Sequence, residues 1–196
     1  MSLSAQDLPC TPPRPEVSCV YEVDAAHRIV SLGSGWSEFA RDNLGDHLTP
    51  DRLLGRCLWD FVADRTTQEL YRQIIHRALG GRTTSVPFRC DSSTERRQME
   101  IEASLVEGYR CRFTTRIRHR EPRSEVRLLN LAVPRSGDFL RACGWCKRIA
   151  VSFGSWVEVE AAVAQLRLFE LPELPRLTHG ICPVCLETLS ESFLTL

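Results

Sequence analysis

"RQMEIEASLVEGYRCRFTTRIRH", residues 97–119, is the stretch whose patterning decides the fold class. In its first half Met99, Ile101, Ala103 and Leu105 alternate with Glu100, Glu102 and Ser104. In its second half Tyr109, Cys111, Phe113, Thr115 and Ile117 alternate with Arg110, Arg112, Thr114, Arg116 and Arg118. Successive side chains of a strand point to opposite faces, so a period of two gives each run one apolar and one charged face. Only Glu107 and Gly108 need separate the runs, which predicts an antiparallel hairpin. The arginine face invites a nucleic-acid reading, but Glu100 and Glu102 stand on the polar face of the adjoining strand, where cross-strand charge pairs account for the same residues. Exposed aromatics of the kind that stack bases are not interleaved. No nucleic-acid partner is expected.

Upstream of the hairpin, "TTQELYRQIIHRALGG" (66–81) has helical rather than strand periodicity. Leu70, Tyr71, Ile74, Ile75, Ala78 and Leu79 fall on one half of a wheel drawn at about 100° per residue, and Arg72, Gln73, His76 and Arg77 on the other. Thr66 and Glu69 have capping-box spacing, and Gly80-Gly81 supplies the stop. "TTSVPFRC" (83–90) adds a strand before the hairpin. Near the N-terminus "VSCVYEV" (17–23) and "RIVSL" (28–32) read as β runs joined by Asp24–His27, and "SGWSEFARDNL" (34–44) as a short helix. Two strands, short helices, one longer helix and three antiparallel strands make an α+β unit whose sheet packs its apolar face against helices.

Several of these segments resemble the PAS family of sensory domains: Tyr21-Glu22-Val23-Asp24 with Arg28-Ile29-Val30-Ser31, then Trp36 and Phe39, "LLGRCLWDFVAD" (53–64), and "PFRCDSSTERRQMEIE" (87–102). The resemblance covers residues 17–120 and implies a sensing or dimerising module, in some members built around haem, flavin or a small metabolite. Flavin-binding photosensory members carry a reactive cysteine in a motif like G-x-N-C-R-F-L-Q; here Gly55-Arg56-Cys57-Leu58 sets the cysteine one position early and lacks the residues that follow. Haem-binding members use an axial histidine, and His76 falls on the polar half of its helix. Haem and flavin are therefore not expected. Trp36, Phe39, Trp59 and Phe61 are candidates to line a small-molecule pocket, and core packing explains the same aromatics. A homodimer is implied by the resemblance, although no heptad run marks a coiled coil.

The whole chain has 196 residues, enough for one ordinary domain and a small appendage. Its 25 basic and 25 acidic residues balance, so no global field attracts nucleic acid or an anionic membrane. No secretory signal or long apolar run is present, and a cytoplasmic protein without membrane association is expected. The motifs of phosphate loops, nucleophile elbows and zinc proteases are missing, so no enzymatic activity is expected. Residues 1–16 are polar and proline-rich and read as a disordered leader, residues 121–138 as a charged, proline-punctuated linker, and residues 139–196 as a separate module.

That module holds the most specific signal in the chain. Cys143-Gly-Trp-Cys146 and Cys182-Pro-Val-Cys185 are two C-x-x-C turns, and a chain in a reducing compartment with nine cysteines uses such pairs for metal or redox chemistry rather than structural disulfides. Two intervening residues let a tight turn aim both sulfurs at one ion, and two such turns complete a tetrahedral Zn2+ site with Zn–S of about 2.3 Å. A unit of this size has too little core to stand alone without such a staple. Lys147 and Arg148 are placed to offset the charge of the thiolates, Trp145 and Trp156 to cover the site, and His179 to act from the surrounding shell. The competing reading is a redox-active dithiol, for which Cys-Gly-Trp-Cys is suggestive but the residues before Cys143 predict no strand. An iron–sulfur site is a third option.

The tail also resembles a short appendage of bacterial PAS-containing and response-regulator proteins: Cys143-Gly-Trp-Cys-Lys-Arg-Ile149, Trp156-Val-Glu158 and Thr178-His-Gly-Ile-Cys-Pro-Val-Cys-Leu186. Both resemblances together imply a bacterial signal-transduction protein in which a sensor domain and a zinc module meet a protein partner, with a thiol-based redox sensor as the alternative.

Overall fold

The computed structural model describes residues 16–42 and 45–194. The leader expected over residues 1–16 thus lies, apart from Glu16, outside the described residues, as does Cys10. β1 (Glu16–Val23) and β2 (Ile29–Leu32) form the first hairpin. Its turn is held by the Asp24 carboxylate, whose Oδ1 accepts from the amides of Ala26 at 2.9 Å and Arg28 at 2.8 Å. Short helices α1 (Trp36–Asp42) and α2 (Pro50–Leu53) and a 3-10 turn at Leu58–Asp60 lead to α3 (Arg65–Leu79). The α3 cap differs from the expected capping box: Asp64 is the N-cap, its Oδ2 accepting from the Thr67 amide at 2.7 Å, because the helix starts one residue before Thr66. Leu70, Ile74, Ile75 and Ala78 are buried, and His76 faces solvent.

β3 (Thr84–Arg89), β4 (Glu95–Val106) and β5 (Arg110–Pro122) complete an antiparallel sheet in the order β2-β1-β5-β4-β3. The β4–β5 hairpin exists as expected, but Val106 lies opposite Arg110, so three residues rather than two form the turn. Gly108 and Tyr109 take φ of 76° and 54° there, a left-handed path that glycine follows without cost. One face of the sheet packs Ile101, Ala103, Cys111 and Phe113 against α3. The other carries the charges: Glu22 accepts from Arg110 and Arg112, Glu102 from Arg116, and Glu100 from Arg118. The arginine stripe is a paired sheet face.

The remainder forms a second sheet. β6 (Arg135–Cys143), β7 (Ile149–Ser152), β8 (Ser155–Val157) and β9 (Leu174–Gly180) lie in the order β8-β7-β6-β9, with β6 and β9 parallel. α4 (Val159–Gln165) packs Val159 and Ala162 on this sheet with Ile149, Leu168 and Leu174. α5 (Pro183–Leu194) follows β9. The stretch 121–138 is ordered: β5 runs into it, β6 starts within it, and Leu128 between them is 1% exposed in the second core. The residues before Cys143, where no strand was expected, are β6; its mixed polarity hides it because its middle, Gly137–Phe139, is exposed to solvent.

The two sheets share a core at one end. Cys143, Trp145, Cys182 and Leu189 belong to the same apolar cluster as Ile75, Ile101 and Phe113. Trp145 packs on Tyr71 with ring centroids 6.0 Å apart, and its carbonyl accepts from the Arg89 amide at the end of β3 at 2.7 Å. Arg89 also reaches Glu158 at 2.7 Å.

Candidate metal centre

Parallel pairing of β6 and β9 sets Cys143 level with Gly180, so the two strands deliver both C-x-x-C turns to one place. The Gly144 amide donates to the Gly180 carbonyl at 2.8 Å, tying the first turn to the strand that feeds the second. After Cys146 the chain reverses through Lys147 at φ 63°, and Cys143 and Arg148 close the loop through a 2.8 Å hydrogen bond from the Cys143 amide. Cys182 stands immediately before α5, Pro183 opens the helix where no amide is needed, and Cys185 lies in its first turn. That geometry aims backbone amides at sulfur: the helix amide of Cys185 donates to Cys182 Sγ at 3.4 Å, and the Cys182 amide just before the helix to Cys143 Sγ at 3.4 Å.

The four Sγ atoms all lie within 4.8 Å of one another, so they could hold a metal ion. Cys146 Sγ and Cys182 Sγ are 3.7 Å apart. A tetrahedron with metal–sulfur bonds of about 2.3 Å has edges of about 3.8 Å, so the cage is close to the size a thiolate site requires. Cys143 and Cys182 are buried at 0% and 1% exposure, while Cys146 and Cys185 are half-buried. Hydrogen bonds from the Cys146 and Cys185 thiols and from the Cys146 and Cys182 amides, opposed by burial, hold the Cys143 thiol far below its ordinary range. The proton is thereby displaced onto the neighbours: its hydrogen bond with Cys143 pushes Cys146 up to about 11, and bonds to Cys143 and Cys146 raise Cys185. One thiolate sharing the protons of its neighbours is the arrangement that a divalent cation replaces.

The other residues singled out in the sequence are placed as follows. Lys147 Nζ donates to the Gly144 carbonyl at 3.0 Å, and Arg148 pairs with Glu158 at 3.4 Å. Trp145 is 6% exposed and Trp156 packs on the same cluster. His179 lies opposite Ala142 and outside the sulfur cage. Loss of water around it, then the Lys147 ammonium, lowers the His179 pKa against the opposing effect of Cys143. Trp36 and Phe39 meet with centroids 6.4 Å apart, whereas Trp59 meets His27 at a tilt with centroids 4.9 Å apart and lies under Arg72, and Phe61 is 41% exposed. Sequence reasoning missed the Gly144–Gly180 clamp; the signal was a glycine inside the first C-x-x-C and another two residues before the second.

No protein-family profile matches this chain, and no curated protein matches it. Among the described residues no helix is long and apolar enough to cross a membrane.

Proposed function

We propose that this chain is a non-enzymatic bacterial signalling protein of the cytoplasm, in which a PAS-like sensing unit, residues 17–120, is coupled to a zinc-stapled unit that binds a protein partner. The observation that carries the metal half is the sulfur cage, with four thiols inside 4.8 Å and a 3.7 Å edge between Cys146 and Cys182. Zinc is favoured because four thiolates in a tetrahedral cage suit a d10 ion that needs no open coordination position. The sensing half is supported by the antiparallel sheet with α3 on one face, the arrangement on which the PAS resemblance rests. Coupling is supported by Trp145, which lies between the two cysteines of the first turn and packs on Tyr71 of α3.

The half-exposure of Cys146 and Cys185 favours a second reading, a thiol-based redox sensor. There hydrogen peroxide would take two electrons from two thiolates, which join as a disulfide while the peroxide, with two protons from solvent, leaves as two waters and the metal is released. Metal content and thiol count of the full chain, purified under reducing conditions and then exposed to mild peroxide, separate the two. One zinc per chain retained until denaturation supports the staple; zinc lost with two thiols under peroxide supports the sensor. An intact chain without metal contradicts both.

A further inference from the structure

A second feature lies between the sheets, on the side of β6 and β9. A cavity of 530 Å³ is lined by Arg97, Arg135, Lys147, Arg176 and His179, and by a single carboxylate, Asp91. Asp91 is already committed: its side chain is 1% exposed and it pairs with both Arg89 and Arg123, neither of which lines the cavity. The arginines of β5 find glutamates, but Arg135, Lys147 and Arg176 have no carboxylate partner among the described residues. Arg135 is half-buried, and its guanidinium is aimed by the carbonyls of Pro175 at 3.1 Å, Leu128 at 3.0 Å and Asn130 at 2.8 Å. Arg135 and Arg176, without a carboxylate partner, face the concavity together with Lys147, whose ammonium is held by the Gly144 carbonyl, and an anion there relieves their mutual repulsion. Ser92 and Ser93 add hydroxyl donors, and Leu129, Leu131 and Leu177 supply an apolar wall. The volume lies within the usual range for small-molecule sites, roughly 300–1,000 Å³.

We propose that this cavity is a binding site for a small organic anion, with a phosphate or carboxylate head group held by Arg135, Arg176 and Lys147 and an apolar body against the leucine wall. The site goes beyond the proposed function above and stands whether or not the chain signals. Arg135 and Ala142 lie on β6 and Arg176 and His179 on β9, so an occupant would touch both strands that present the sulfurs.

The test is calorimetric titration of the full zinc-loaded chain in phosphate-free, low-salt buffer with hexyl phosphate, hexanoate and, as the neutral control, hexanol. Saturable binding of one hexyl phosphate or one hexanoate per chain is expected, with the tighter of the two identifying the head group. Arg176 is exposed and its side chain makes no hydrogen bond or ion pair among the described residues, so Arg176→Gln should fold normally and weaken binding about tenfold, with Arg176→Glu weakening it further. Arg72→Gln, on the far surface of α3, should leave affinity unchanged. Absence of saturable binding by both anions, hexanol binding as tightly, or unaltered affinity in folded Arg176→Glu would each overturn the assignment.

Discussion

Asp64 and Thr66 compete for one job at the start of α3, and the hydrogen bonds assign it to Asp64. Asp64→Ala should cost about 1 kcal/mol in denaturant unfolding, while Thr66→Ala should cost only a few tenths. Equal costs would return the cap to Thr66. Among the cysteines, neighbouring thiols rather than burial separate the cage from the inert ones: Cys19 and Cys111 are as buried as Cys143 and Cys182 but stand outside the sulfur cluster. Desolvation pushes both Cys19 and Cys111 up to about 12, at 3% and 0% exposure. Neither should react with iodoacetamide at pH 8 in the folded protein, and peptide mapping of the alkylated chain checks this; both should label once denatured. The cage cysteines were legible because C-x-x-C spacing is a local signal. Asp64 was not, because capping depends on where the helix starts, which packing of Leu70 and Ile74 decides.

At the scale of elements, alternation over residues 97–119 was enough for the β4–β5 hairpin, and periodicity over residues 66–81 for α3. β6 escaped because parallel pairing with β9 is a long-range contact between strands of mixed polarity, which leaves no period-two signature. The junction between the sheets escaped too, since Arg89 and Glu158 are 69 residues apart. That pair sets a pH dependence. Burial alone would raise the Glu158 pKa, but Arg89, then Arg148, overcome it and hold the carboxyl below its ordinary value. A carboxylate with a depressed folded pKa stabilises the fold above its unfolded pKa of about 4.3 and loses that contribution as pH falls through the folded value. Glu158→Gln should therefore lower Tm at pH 7 by a small amount, given the partial exposure of Glu158, and the gap from the parent should close below about pH 4. Melting curves across pH 3–8 test this; a gap that widens in acid would contradict it.

For the whole molecule, the cage is not an appendage on a tether. Cys143, Trp145 and Cys182 share one apolar cluster with Ile75 and Phe113, so the four-cysteine turns and the first sheet should melt together. Stripping the metal removes a contribution of about 10 kcal/mol or more in typical thiolate-rich sites, and should lower the Tm of both sheets rather than of the second alone. Far-ultraviolet dichroism and tryptophan fluorescence should report one coincident transition in the loaded protein; two separated transitions would mean that the shared core does not couple the sheets.

In the proposed function Cys143, Cys146, Cys182 and Cys185 hold one zinc ion. X-ray absorption at the zinc edge of the intact chain tests it most directly. The cage predicts four sulfur neighbours at about 2.3 Å and no light-atom ligand, with the signal lost in Cys182→Ser. A shell containing nitrogen or oxygen, or a chain that carries no zinc, would contradict it.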